Sequence, residues 1–192
     1  MPPSTRTYVA KVGTILLVLG SLSLTSCAPD EPLSRARPTP SSTPLFASEE
    51  EALDAARETY EGFLHTAEII IEENGVEPER IDEFATPNVA GPEKDGFLNI
   101  ATANKRVTGS MVLETTLLQA YRPDARGGVG VVSIYACVNV GDIDVLDENG
   151  NSTVSADRPD KTAFELGFDA YEASPTKLRL SSNPLWAGGT VC

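Results

Sequence analysis

SEEEALDAARETYEGFLHTAEIII, Ser48–Ile71, carries the most regular pattern in the chain. Leu53, Ala56, Tyr60, Phe63, Leu64, Ala67, Ile70 and Ile71 recur in steps of three and four, which places them on one face of a helix. Ser48 with Glu51 three residues later is a capping box, and Glu49, Glu50 and Glu51 suit the positive end of the helix dipole. Asn74-Gly75 supplies a left-handed stop. The pattern predicts a helix of about 26 residues. So long an amphipathic helix needs another element to cover its apolar face.

Two short helices are expected next. Glu77-Pro78-Glu79-Arg80 puts proline in a first helical turn, with Ile81 and Phe84 as the apolar stripe and Thr86-Pro87 as the stop. Pro92 opens the other, which runs through Phe97, Leu98 and Ile100 to about Asn104.

After Lys105 the period changes to two. Val107–Tyr121 reads as one strand with Val107, Met111, Leu113, Leu117 and Tyr121 on a common face. A turn at Arg122-Pro123-Asp124 and Gly127-Gly128 leads into GVGVVSIYACVNV, Gly128–Val140. That segment is apolar on both faces in its middle, as a central strand is. Ile143–Leu146 continues it or follows a bulge near Gly141, and Asn149-Gly150 is a hairpin signal of type I′. Further strands are expected at Thr153–Ala156, Thr162–Tyr171 and Lys177–Leu180. Phe164, Leu166 and Phe168 face one way there, and Glu165 and Asp169 the other. Helices first and antiparallel strands after them give an α+β class, with the long helix packed on one face of a curved sheet.

This order, with EEALDAARETYEGFL, YACVNVGDIDVLDENGN and the Trp186 to Cys192 ending, resembles the nuclear-transport-factor-2-like (cystatin-like) cone over residues 48–192. In particular it resembles small secreted lipoproteins of actinobacteria. The resemblance implies a sheet wrapped around a pocket that some cone proteins use for ligands or catalysis and others for partners. Tyr60, Phe63, Tyr121 and Trp186 are the residues expected in that pocket or plugging it. It also implies that a homodimer through the open sheet face is compatible with the fold.

The N-terminus supports an exported, anchored protein. Arg6 and Lys11 precede the apolar run Val12–Leu24, with no acid before Asp30. About thirteen apolar residues are too few to span a bilayer, which needs roughly 20, so residues 1–26 read as a signal peptide. Leu24-Thr25-Ser26-Cys27 resembles the lipobox of bacterial lipoproteins. It implies a diacylglycerol thioether on Cys27, with a further acyl chain such as palmitate completing a stable membrane anchor. Residues 27–46, with Pro29, Pro32, Pro38, Pro40 and Pro44, read as a tether reaching roughly 50–60 Å if extended at about 3.1 Å per residue. Residues 47–192 form one domain. The expected location is the extracytoplasmic face of the cell membrane.

Charge narrows the partners. Fifteen basic residues less Arg6 and Lys11 leave 13 against 28 acids, a formal charge of −15 after processing. Such a surface repels phosphate backbones and excludes nucleic acid as a partner. Assigning Cys27 to lipid leaves Cys137 and Cys192, an exported pair that reads as a disulfide tying down the C-terminus. Two thiols and one distant histidine are too few ligands for a metal site.

No catalytic set emerges. His65, the single histidine, is a weak acid–base candidate on the long helix, with no nucleophile assigned to it. Asp142, Asp144, Asp147 and Asn149-Gly150 fail the calcium-loop spacing, because glycine at position 6 puts Val145 at 1 and Ala156 at 12. Gly127, Gly128 and Gly130 lack the Gly-Lys-Ser/Thr of a phosphate loop. No enzyme activity, cofactor or metal is expected. The sequence favours a binding or assembly module that meets an envelope protein or a small apolar ligand. The alternatives are a scaffold subunit of a secretion or conjugation machine and a cone-type isomerase or cyclase using His65 with a pocket carboxylate.

Overall fold

Ser48 caps the long helix as expected: its Oγ accepts from the Glu51 amide at 3.1 Å, and Glu51 Oε2 accepts from the Ala47 amide at 2.7 Å. The computed structural model describes residues 44–172, 174–189 and 191–192. Residues 1–43, with the segment read as a signal peptide, Cys27 and most of the stretch read as a tether, lie outside the described residues.

Helix α1 spans Glu49–Glu72. It ends in a Schellman motif in which Asn74 (φ 57°) rather than glycine takes the first left-handed position, with Gly75 N donating to Ile70 O at 2.7 Å. The next segment, Pro78–Glu83, is a 3-10 helix that buries Ile81.

Helix α2 spans Pro87–Thr102, a turn and more longer at its start than the sequence predicts. Pro87 both stops the preceding segment and occupies the first position of α2, where its missing N–H costs nothing. Pro92, expected to open the helix, lies inside it. Asn104 (φ 51°) ends α2 with Lys105 N donating to Ile100 O at 3.1 Å, the same device as α1.

Two antiparallel sheets follow. One has four strands in the order β2-β3-β5-β6, Val112–Tyr121, Val132–Asn139, Lys161–Tyr171 and Ser174–Ser182. The other pairs β1, Arg106–Thr108, with β4, Asp144–Leu146. The single strand expected over Val107–Tyr121 is therefore two strands in different sheets. Gly109 separates them at φ +87°, and a Cβ there would lie 1.9 Å from the Asp142 carbonyl oxygen. Gly109→Ala combines a disfavoured backbone with a backbone clash and should cost roughly 2–4 kcal/mol, readable as a lower urea midpoint.

The face assigned to β2 also needs correction. Register shifts between Leu113 and Thr115 and between Leu118 and Ala120 each insert an extra residue. Each bulge flips the alternation. Leu113, Leu118 and Tyr121 pack against the core, while Leu117, expected with them, is 49% exposed on the opposite face. Thr153–Ala156 is not a strand; only Ser152 bridges back to Leu146. The Asp147–Gly150 turn is not type I′, since Gly150 (φ +82°) is left-handed and Asn149 is not. Asp147 Oδ1 accepts from the Asn149 and Asn151 amides at 2.9 and 2.8 Å and fixes the turn, which holds its carboxyl below the usual range.

Both helices pack on one face of the four-stranded sheet, giving the expected α+β arrangement. From α1, Ala52, Ala56, Tyr60, Phe63, Ala67 and Ile70 enter the core. Opposite them stand Val132, Ile134, Ala136 and Val138 of β3, with Leu166, Phe168 and Leu180 of β5 and β6. Strand β3 is central, as its two-faced apolar pattern predicts.

Candidate functional site

Where α1, α2 and the sheet diverge, a cavity of about 240 Å³ remains. Its walls follow from helical spacing: Tyr60, Phe63, Ala67 and Ile71 come from successive turns of α1. Phe97 of α2 and Phe164 of β5 add aromatic side chains, and Met111, Val138 and Val140 complete the apolar lining. The polar groups in the wall are few. They are the carboxylate of Glu93 on α2, the side-chain amide of Asn183 just past β6, and the Tyr60 hydroxyl.

Glu93 sits half-buried in these surroundings. Burial raises its pKa above the usual carboxylate range, and a hydrogen bond from Asn183 only partly offsets this. The Tyr60 ring is 2% exposed, and burial first, then the nearby Glu93, pushes its phenol pKa well up, so it stays protonated. Among the described residues no lysine, arginine or histidine lines the cavity. The neighbouring Lys94 is engaged elsewhere, its Nζ 2.7 Å from Asp82 Oδ1.

This sets a sign for pH dependence. The folded chain holds the Glu93 proton to higher pH than the unfolded chain does, so ionisation works against the fold. Glu93's contribution to stability is fully present below about pH 4 and is lost as pH rises through the raised folded value. Glu93→Gln should therefore melt at a higher temperature than the parent at neutral pH and match it near pH 3–4. A lower neutral-pH melting temperature for the variant would contradict the assignment.

The sequence-predicted residues separate into three places. Tyr60 and Phe63 line the cavity, their rings stacked with centroids 5.9 Å apart. Tyr121 does not: its hydroxyl donates to Phe46 O and accepts from Phe46 N, both at 2.8 Å. It pins the buried Phe46, the last residue of the stretch read as tether, to β2, so the packed part of the chain begins before residue 47. Trp186 lies over the Tyr135 ring at 4.5 Å, on the sheet face away from the helices. There it covers β3 as a plug, outside the cavity.

Cys137, 1% exposed, faces the same way as Tyr135 and is bonded to Cys192, with Cα atoms 5.1 Å apart. The tail thus runs from Asn183 at the cavity, through Trp186 N donating to Ala163 O at 2.8 Å, to a covalent stop on β3.

His65 is exposed in a surface groove with Glu61 and Glu68, which adjoins the cavity through Leu64 and Met111. It does not itself line the cavity that holds Glu93, and the carboxylates that share its groove are the exposed Glu61 and half-buried Glu68. Glu93 and Asn183 are the residues sequence reasoning missed. Among the described residues no cluster of three His, Cys, Asp or Glu side chains is placed to hold a metal, and no helix is long and apolar enough to cross a membrane.

No family model matches the chain, and no curated protein matches it. Among solved structures, the chain is similar to the intermembrane space region of the chloroplast protein ARC6, with a TM-score of 0.51 and 10% identity over 71% of this chain and 97% of that one. A de novo designed β-sheet protein also matches, with a TM-score of 0.32 and 10% identity over 73% of this chain and 92% of the design. At such identity the likeness to the ARC6 region concerns the fold alone.

Proposed function

We propose that this protein is a lipid-anchored, extracytoplasmic binding module whose cavity takes a small, largely apolar ligand. The observation that carries the reading is the cavity itself: an aromatic and aliphatic pocket with a few convergent polar groups, Glu93, Asn183 and Tyr60. Apolar surface left lining a cavity is a cost to a small domain, and a half-buried carboxylate with no cation beside it among the described residues is a second cost. Both are retained together at one place, as binding sites require. In size the cavity lies between the roughly 150 Å³ that holds benzene and the roughly 300 Å³ at which drug-sized pockets begin. The ligand is accordingly a compact molecule with one aromatic ring or a short branched chain.

The lipobox-like Leu24–Cys27 and the proline-rich tether support the placement at the membrane. Cys27→Ala should move the protein from the membrane fraction to the soluble fraction of a lipoprotein-producing bacterial host. Retention in the membrane fraction would remove the anchor from the account. For the cavity, millimolar 2-phenylethanol should raise the melting temperature of the full chain. Ala67→Leu, which fills the pocket from α1, should abolish the shift. An equal shift in the variant would place binding elsewhere.

A further inference from the structure

Resting on the cavity reading above, we infer that the ligand is a small hydrophobic cation: an apolar body carrying a single ammonium group, received by Glu93 against the aromatic walls. A carboxylate in a protein interior is ordinarily paired with a cation or held by several donors. Glu93 makes no ion pair among the described residues, and the cavity wall contributes no basic side chain. The nearest candidate in sequence, Lys94, points away to Asp82, so the fold has not left a cation in reserve.

The surroundings complete a recognisable chemistry. Tyr60, Phe63, Phe97 and Phe164 line the same space. Aromatic faces are negative and stabilise an ammonium that has left water, most strongly where the site is dry. Asn183 and the protonated Tyr60 hydroxyl offer oxygens that can accept the remaining N–H bonds. A neutral apolar ligand would fill the volume and leave the carboxylate unanswered; an anion would be repelled by it. The folded chain has already removed Glu93 from much of its water, so the ligand supplies its own desolvation and little else. The net charge of −13 draws cations toward the protein and so favours their encounter.

The probe is 2-phenylethylammonium, tested against 2-phenylethanol, which has the same number of heavy atoms and no charge. Calorimetric titration of the full chain at pH 7.5 should show the ammonium binding at least tenfold tighter than the alcohol. Glu93→Gln should erase the difference, so that the ammonium and the alcohol bind the variant within about twofold of each other. If both probes bind wild type equally, or the alcohol binds tighter, the cation inference fails and the apolar pocket stands. If the ammonium's advantage survives in Glu93→Gln, the charge is read elsewhere and the inference fails. If neither probe binds at millimolar concentration, both this inference and the cavity reading fail.

Discussion

Cys192→Ser should cost the domain about 4 kcal/mol, because the bond to Cys137 closes a loop with a sequence separation of 55 and its loss restores that freedom to the unfolded chain. For a domain of this size the melting temperature should fall by on the order of 10–15 °C. Two local effects act in the same direction. The buried Cys137 loses its partner, and the tail carrying Val191 and Trp186 is released from the sheet. Reductant should lower the parent to about the level of the variant and leave the variant unchanged. A parent indifferent to reductant would show that the bond does not contribute. The same tail carries Asn183, so Cys192→Ser should also weaken ligand binding beyond what lower stability explains.

Phe168→Ala should be of similar size for a different reason. Phe168 is fully buried on β5, opposite Val132 of β3 and Leu180 of β6. It stands on two flanking strands whose backbones cannot move inward without breaking the ladder. The void left by the ring cannot collapse, and the expected loss is about 3–5 kcal/mol. Against a typical total of about 5–15 kcal/mol, that leaves a domain close to unfolding at physiological temperature. Urea titration should show a much lower midpoint with an unchanged slope. A change of slope would mean that the sheet itself had rearranged.

These effects sit on features that the sequence makes legible to different degrees. Helix α1 is written locally: its cap, its apolar stripe and its stop each need only neighbours within a few residues. Strand β3 is legible because continuous apolar character requires both faces to be covered. The inner face of β2 is not, because its bulges are set by pairing with β3, and each inverts every assignment beyond it. The start of α2 was obscured by Pro87, whose fixed φ suits both the end of one segment and the first position of the next.

The site divides along the same line. Tyr60 and Phe63 are read from α1's periodicity. Glu93 lies in the polar run Pro92–Gly96, where a charged residue looks like solvent-facing surface, and Asn183 lies in a terminal loop. Only the packing of α2 on α1, and the tail's return past β5, bring them to one cavity. Tyr121 and Trp186 show the reverse error: aromatic character predicts burial but does not say beneath which element. Tyr121 anchors Phe46 at the end of the stretch read as tether, and Trp186 covers the outer face of β3.

The most direct test of the central claim uses a methionine. The chain has two, Met1 in the segment read as a signal peptide and Met111 in the wall between the cavity and the His65 groove, so the Ala67→Leu control assigns the response to the cavity. Methyl-labelled methionine in the full chain therefore places one reporter at the site. On titration with 2-phenylethylammonium, the Met111 methyl resonance should shift and saturate, and Ala67→Leu should hold it still. A Met111 resonance that stays in place while the ligand is present in millimolar excess would contradict a ligand-binding cavity between α1, α2 and the sheet.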